Sequence, residues 1–180
     1  MKKLLAICAT ALLISACEST TSLPYTTSAQ NVIAARDALQ SANAEVAVAA
    51  FTAASGVSKP TCRLMGQLDV APGEDIATFI RDAFEAEMLA TGRLSSEAPG
   101  VSGVVERVEM NTVGTGSWTI SLSVSSEANP TGYTVTTTHN YASSFSAYSA
   151  CQNAATAFNP AVQSLLNDVV THPDFATLAG

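Results

Sequence analysis

Gly116-Ser117-Trp118-Thr119-Ile120-Ser121-Leu122-Ser123-Val124-Ser125 is the stretch that decides the fold. Trp118, Ile120, Leu122 and Val124 alternate with Thr119, Ser121, Ser123 and Ser125. A helix would scatter both sets around its circumference, whereas a strand sorts them onto one buried and one wet face. Gly114-Thr115-Gly116 supplies a flexible turn before it, and a weaker strand over residues 101–110 precedes that turn. After it, Asn129-Pro130-Thr131-Gly132 reads as a hairpin turn into a last strand over residues 133–141, whose threonines suit a solvated side.

Working outward, residues 149–170 are expected to be helical, with Val162, Leu165, Leu166 and Val169 facing a core and Pro160 dividing the helix by a kink or a fresh start. Upstream, Glu74 and Asp75 sit where acidic groups favour a helix start, and the helix runs to Thr91 with Gly92 as its C-cap. Its apolar stripe is Ile76, Phe79, Ile80, Ala83, Phe84 and Met88. Before it, residues 62–70 predict a strand with Cys62, Leu64, Leu68 and Val70 inward and Arg63, Gln67 and Asp69 outward. Residues 45–52 predict another, apolar on both faces and so expected to be buried on both. Thr27 or Ser28 caps a first helix through Leu39. The order α-β-β-α-β-β-β-α predicts one α+β domain: a mainly antiparallel sheet of about five strands with helices packed on one face.

The N-terminus predicts a different kind of segment. Met1 to Lys3 form a basic start and residues 4–14 an apolar run too short to cross a hydrocarbon core as a helix. It ends in Ile14-Ser15-Ala16-Cys17, which resembles the lipobox of bacterial lipoproteins. That resemblance implies a signal peptide over residues 1–16, diacylation of Cys17 and export to the cell envelope, with a tether over residues 17–24 and the domain over residues 25–180. Several acyl chains hold a protein firmly at a bilayer where one would not. Glu18 stands where an aspartate would resemble the inner-membrane retention signal of enteric bacteria, which favours the outer membrane with the domain facing the periplasm. More loosely, the order of elements over residues 25–178 is similar to envelope lipoproteins with a TolB-N-terminal or CsgG-like domain, a likeness that transfers no functional residue.

Loss of the leader removes Lys2 and Lys3, leaving six cations against fifteen acids, a net charge of −9. The cations are scattered singly, so the clustered basic surface that nucleic-acid binding needs is not expected. Cys8 leaves with the leader and Cys17 takes the lipid, which leaves Cys62 and Cys151 to pair in an oxidising compartment. The competing readings are two free buried thiols or half of a metal site, and no CxxC pair or histidine cluster supports the latter.

No catalytic constellation is expected, nor any metal or cofactor. His139 and His172 lie in different elements and read as a packed or edge histidine and a helix-end residue. No G-x-S-x-G elbow or S-x-x-K pair occurs, and Gly114-Thr115-Gly116-Ser117-Trp118 lacks the lysine of a phosphate loop and precedes a strand. The pairs Glu85 with Glu87 and Glu106 with Glu109 read as solvated faces, and Trp118, Tyr133, Tyr141 and Tyr148 as core or half-buried sheet positions. The expectation is therefore a non-enzymatic lipoprotein that binds an envelope partner through its sheet edge or a helix face. The alternative is a carrier of a small apolar or lipid ligand between the sheet and the helix bearing Phe79 and Phe84.

Overall fold

In the computed structural model, which describes residues 23–180, the chain runs α1 (Ala29–Ser41), β1 (Ala47–Ala53), α2 (Ile76–Thr91), β2 (Gly100–Asn111), β3 (Gly116–Ser125), β4 (Tyr133–Tyr141) and α3 (Ala147–Val170). A short 3-10 turn, Phe175–Leu178, closes it. The leader and Cys17 lie outside the described residues.

The period-two stretch is the second-last strand of a four-stranded sheet ordered β1-β2-β3-β4. β3 pairs antiparallel with β2 (Val105 opposite Leu122) and with β4 (Leu122 opposite Val135). β1 pairs parallel with β2, Ala47 opposite Gly100. A parallel neighbour needs a crossover, and α2 supplies it. Trp118, Ile120, Leu122 and Val124 are buried beneath the helices, α2 against β1 and β2, α3 against β3 and β4. α1 packs on α2 and α3 as an outer layer. The Trp118 ring meets Phe158 edge-on at 5.0 Å, and its Nε1 donates to the Ala154 carbonyl at 2.9 Å, so the indole is core with its polar atom satisfied. Among the described residues the opposite sheet face bears no helix, and it carries a hydroxyl ladder, with Ser121 Oγ 2.8 Å from Thr136 Oγ1 and Ser123 Oγ 2.8 Å from Thr134 Oγ1.

Local chemistry sets the ends of these elements. Ser28, Asp75 and Ser146 accept from backbone N–H groups of the first turns of α1, α2 and α3, and Gly92 ends α2 in the left-handed conformation that a glycine adopts without a Cβ penalty. Pro160 does not divide α3, which runs unbroken through it.

Two expectations are corrected. The sheet has four strands in a mixed arrangement, because residues 62–70 are not a strand. Arg63 and Gly66 both take positive φ, 46° and 82°, and Cys62 N donates to Gly66 O at 2.8 Å, so the backbone reverses instead of extending. Cys62, Leu68 and Val70 are buried as loop residues, but Leu64 is 98% exposed. Alternation here reflects which side chains a loop tucks in. The second correction concerns β1, an edge strand with only Phe51 buried. It packs on α2 through Phe51, which meets Phe84, while its remaining residues stay at least partly exposed. The expected disulfide is present: Cys62 and Cys151, with Cα atoms 5.9 Å apart, join the reversed loop to the first turns of α3.

Candidate functional site

β4 reads Tyr-Thr-Val-Thr-Thr-Thr-His-Asn-Tyr and forms one rim of the sheet. Alternate residues of an edge strand turn their N–H and C=O groups away from the neighbour, and natural edges are blunted by charges, prolines or bulges. β4 has none of these: it pairs with β3 in unbroken register from Tyr133 to Tyr141 and contains no Lys, Arg, Asp, Glu or Pro. β1, the other rim, has an irregularity between Val48 and Phe51. The two edges are thus unequal, and β4 is the one left open to pairing.

Its inward side chains fix it to α3. Tyr133 Oη donates to the Val169 carbonyl at 2.8 Å, Thr137 Oγ1 donates to Asp168, and His139 Nδ1 lies 3.1 Å from Ser164 Oγ. Between β4, α3 and the start of α1 lies a cleft of about 410 Å³ lined by Gln30, Thr136, Thr138, Gln163, Asn167 and Asp168, among others. Amides and hydroxyls dominate it, groups that can both donate to and accept from a backbone.

One wall is held by buried polar groups. Asn31 Nδ2 donates to Glu87 Oε1 at 3.1 Å and to the Gln163 carbonyl at 2.8 Å, while Asn31 Oδ1 accepts from Asn167 Nδ2 at 3.0 Å. Glu87 Oε1 also accepts from Tyr25 Oη at 2.5 Å and from Ser28 N at 3.1 Å. Three helices therefore meet on Asn31, which joins Glu87 of α2 to Gln163 and Asn167 of α3. Burial pushes the Glu87 pKa up, opposed by hydrogen bonds from Tyr25, Ser28 and Asn31, and among the described residues Glu87 Oε2 is buried without a partner. Burial and the adjacent Glu87 push the Tyr25 phenol up, so it stays a donor.

Sequence reasoning missed this hub. Glu87 was expected on a solvated face beside Glu85 but is fully buried, whereas Glu85 is the partner of Arg81 at 3.0 Å on the surface. The one signal was its spacing: Glu87 lies four residues after Ala83 and three after Phe84, on the flank of the apolar stripe. Glu106 and Glu109 do lie on the exposed side of β2, Glu109 paired with Arg107. Gly114 sits in the hairpin turn with positive φ. His172 follows the end of α3 and stacks on Tyr133, ring centroids 3.9 Å apart. His139 Nδ1 touches Ser164 Oγ, and that hydroxyl also bonds to the Pro160 carbonyl at 2.9 Å within α3. Burial lowers the His139 pKa, in keeping with a neutral ring packed on α3.

The fold and the cleft define a small α+β domain with a mixed four-stranded sheet and one unblunted rim. No family model and no curated protein matches the chain. Among solved structures, the chain is similar to the crystal structure of protein XCC0632 from Xanthomonas campestris, of family DUF330, with 16% identity and a TM-score of 0.49 over 74% of this chain and 85% of that one.

Proposed function

We propose that the protein is an envelope lipoprotein, anchored through acylated Cys17 in the outer membrane and facing the periplasm, that acts as a non-enzymatic binding or assembly component. The observation that carries the binding role is the β4 rim: a regular, uncharged edge of nine residues beside a cleft rich in amides and hydroxyls. An extended segment of a partner protein adds there as a fifth strand, its main chain supplying affinity and alternate side chains entering the cleft. The lipobox-like Ile14-Ser15-Ala16-Cys17 supports the anchor, and the net negative charge of the chain argues against a polyanionic partner.

The test pairs a photo-crosslinking residue at Thr138 with one at Ser102, far from the rim, in intact envelopes. A discrete partner adduct at Thr138 and none at Ser102 is expected, and Thr136→Lys, which places a charge on the rim, abolishes the adduct. Equal labelling at both positions, or none above an unrelated lipoprotein, removes the reading. The anchor is checked separately by incorporation of radiolabelled palmitate, which Cys17→Ala eliminates.

A second reading, a carrier of a small apolar or lipid ligand, draws on an open groove of about 350 Å³ lined by Tyr25, Pro72, Phe79, Ala83 and Ala86, among others. Phe84 does not contribute, since it packs against Phe51 with ring centroids 5.9 Å apart. Native mass spectrometry of the delipidated protein, if it finds no retained ligand, disposes of this reading.

A further inference from the structure

Three loops converge at the end of the domain where α3 begins, and each presents a large apolar side chain to solvent. Leu64 is 98% exposed, Val113 74%, and Phe145 fully exposed. These are not loose ends. Arg63 Nε donates to Thr112 Oγ1 at 3.1 Å, Arg63 Nη1 to the Phe145 carbonyl at 3.1 Å, and Arg63 Nη2 to the Thr112 carbonyl and, at 3.1 Å, the Ser144 carbonyl. Ser143 Oγ adds a bond to the Thr112 carbonyl at 2.6 Å, and the Cys62–Cys151 disulfide pins the first loop to α3. One arginine, held at a positive φ that non-glycine residues rarely take, thereby ties together the loops that carry the three apolar tips.

The charge around them is also distinctive. Segments 60–68, 111–117 and 140–149 contain no Asp or Glu in a chain that carries fifteen, and their one cation is Arg63. Gly114, Ser143 and Ser144, small residues, line the surface between Val113 and Phe145. A protein partner would need a separate socket for each protruding tip, whereas hydrocarbon accepts all three without shape matching.

We propose that Leu64, Val113 and Phe145 form a tripod that inserts into the surface of a phospholipid bilayer. This goes further than the anchoring reading but rests on its premise that the protein lies at a membrane. Reach is compatible with both acting on one leaflet. Asn159 Nδ2 holds the Leu23 and Pro24 carbonyls at 2.7 and 2.9 Å, and from Asn159 back to Ala147 α3 descends about 18 Å toward the tips. Five residues separate Cys17 from Leu23, and the six steps between them can span about 20 Å. An acyl anchor and the tripod can therefore share a plane, and together they would set the orientation of the β4 rim above it.

The experiment uses the full processed chain with vesicles of phosphatidylethanolamine and phosphatidylglycerol. Phe145→Trp introduces a reporter, Glu127→Trp on the loop between β3 and β4 is the control, and buried Trp118 gives a constant background. For Phe145→Trp the expected result is a blue shift of emission on adding vesicles and quenching by brominated acyl chains, with neither for Glu127→Trp. Adding Leu64→Ser and Val113→Ser should weaken the quenching at limiting lipid by roughly tenfold or more per side chain withdrawn. Flotation of the protein with vesicles without quenching at position 145 overturns the tripod while leaving the anchor standing. Quenching that persists in protein carrying no palmitate supports the tripod although the anchor fails. A blue shift that follows protein concentration without vesicles identifies a second copy as the occupant and overturns the proposal.

Discussion

Glu87 illustrates how one buried carboxyl ties α2 to α1 and to the segment before it. Its Oε1 gathers donors from Tyr25, Ser28 and Asn31, while its Oε2 has none among the described residues. Replacement by leucine orphans those donors and is expected to cost about 3 kcal/mol, read as a fall in chemical-denaturation stability. Replacement by glutamine keeps the acceptor and removes the buried charge, so Glu87→Gln should fold with stability close to or above that of the wild type at neutral pH. The pH dependence has a definite sign. Because burial raises the folded pKa, the folded protein holds this proton more tightly than the unfolded chain. The contribution of Glu87 is therefore most favourable below the unfolded carboxylate pKa and is lost as pH climbs through the raised value. The melting temperature of the wild type minus that of Glu87→Gln should fall as pH rises through that window; a difference that grows instead would refute the assignment.

At the scale of elements, the placement of β1 depends on a missing side chain in β2. A Cβ at Gly103 would lie 2.6 Å from the Phe51 ring, closer than atoms pack, and that ring in turn sits on Phe84. Gly103→Ala should cost roughly 1–3 kcal/mol, measured by thermal unfolding, because a buried aromatic has no vacant rotamer to move into. The three-loop end makes a parallel case. Arg63→Ala removes the donors that Thr112, Ser144 and Phe145 share, and hydrogen exchange should accelerate across residues 111–117 and 143–146 while β3 stays protected. Unchanged exchange would show that the loops hold themselves without the arginine.

At the scale of the whole molecule, the Cys62–Cys151 bond spans 89 residues and clasps the segment between β1 and α2 to the last helix. Closing so long a loop stabilises by up to ~4–5 kcal/mol in the chain-entropy picture, so Cys151→Ser should lower the melting temperature by roughly 10 °C. Mass analysis without reductant should find no free thiol at Cys62 or Cys151. The sequence by itself determined the α+β class, the apolar stripes of α2 and α3, a start of α1 at Thr27 or Ser28, an acidic start of α2, the Gly92 C-cap and the β3 faces, because each follows from periodicity or from chemistry local to a few residues, and it left Cys62 and Cys151 to pair by elimination. Only the tertiary structure decided that residues 62–70 reverse, that β1 runs parallel at an edge, that Glu87 is buried, and that β4 and the three apolar tips face outward. Those outcomes depend on which partners arrive from distant parts of the chain: Arg63 finds carbonyls some 50 and 80 residues away, and Glu87 finds donors about 60 residues before it. Alternation along a chain reports that a side chain is apolar, and whether a neighbour covers it is settled only when the layers meet.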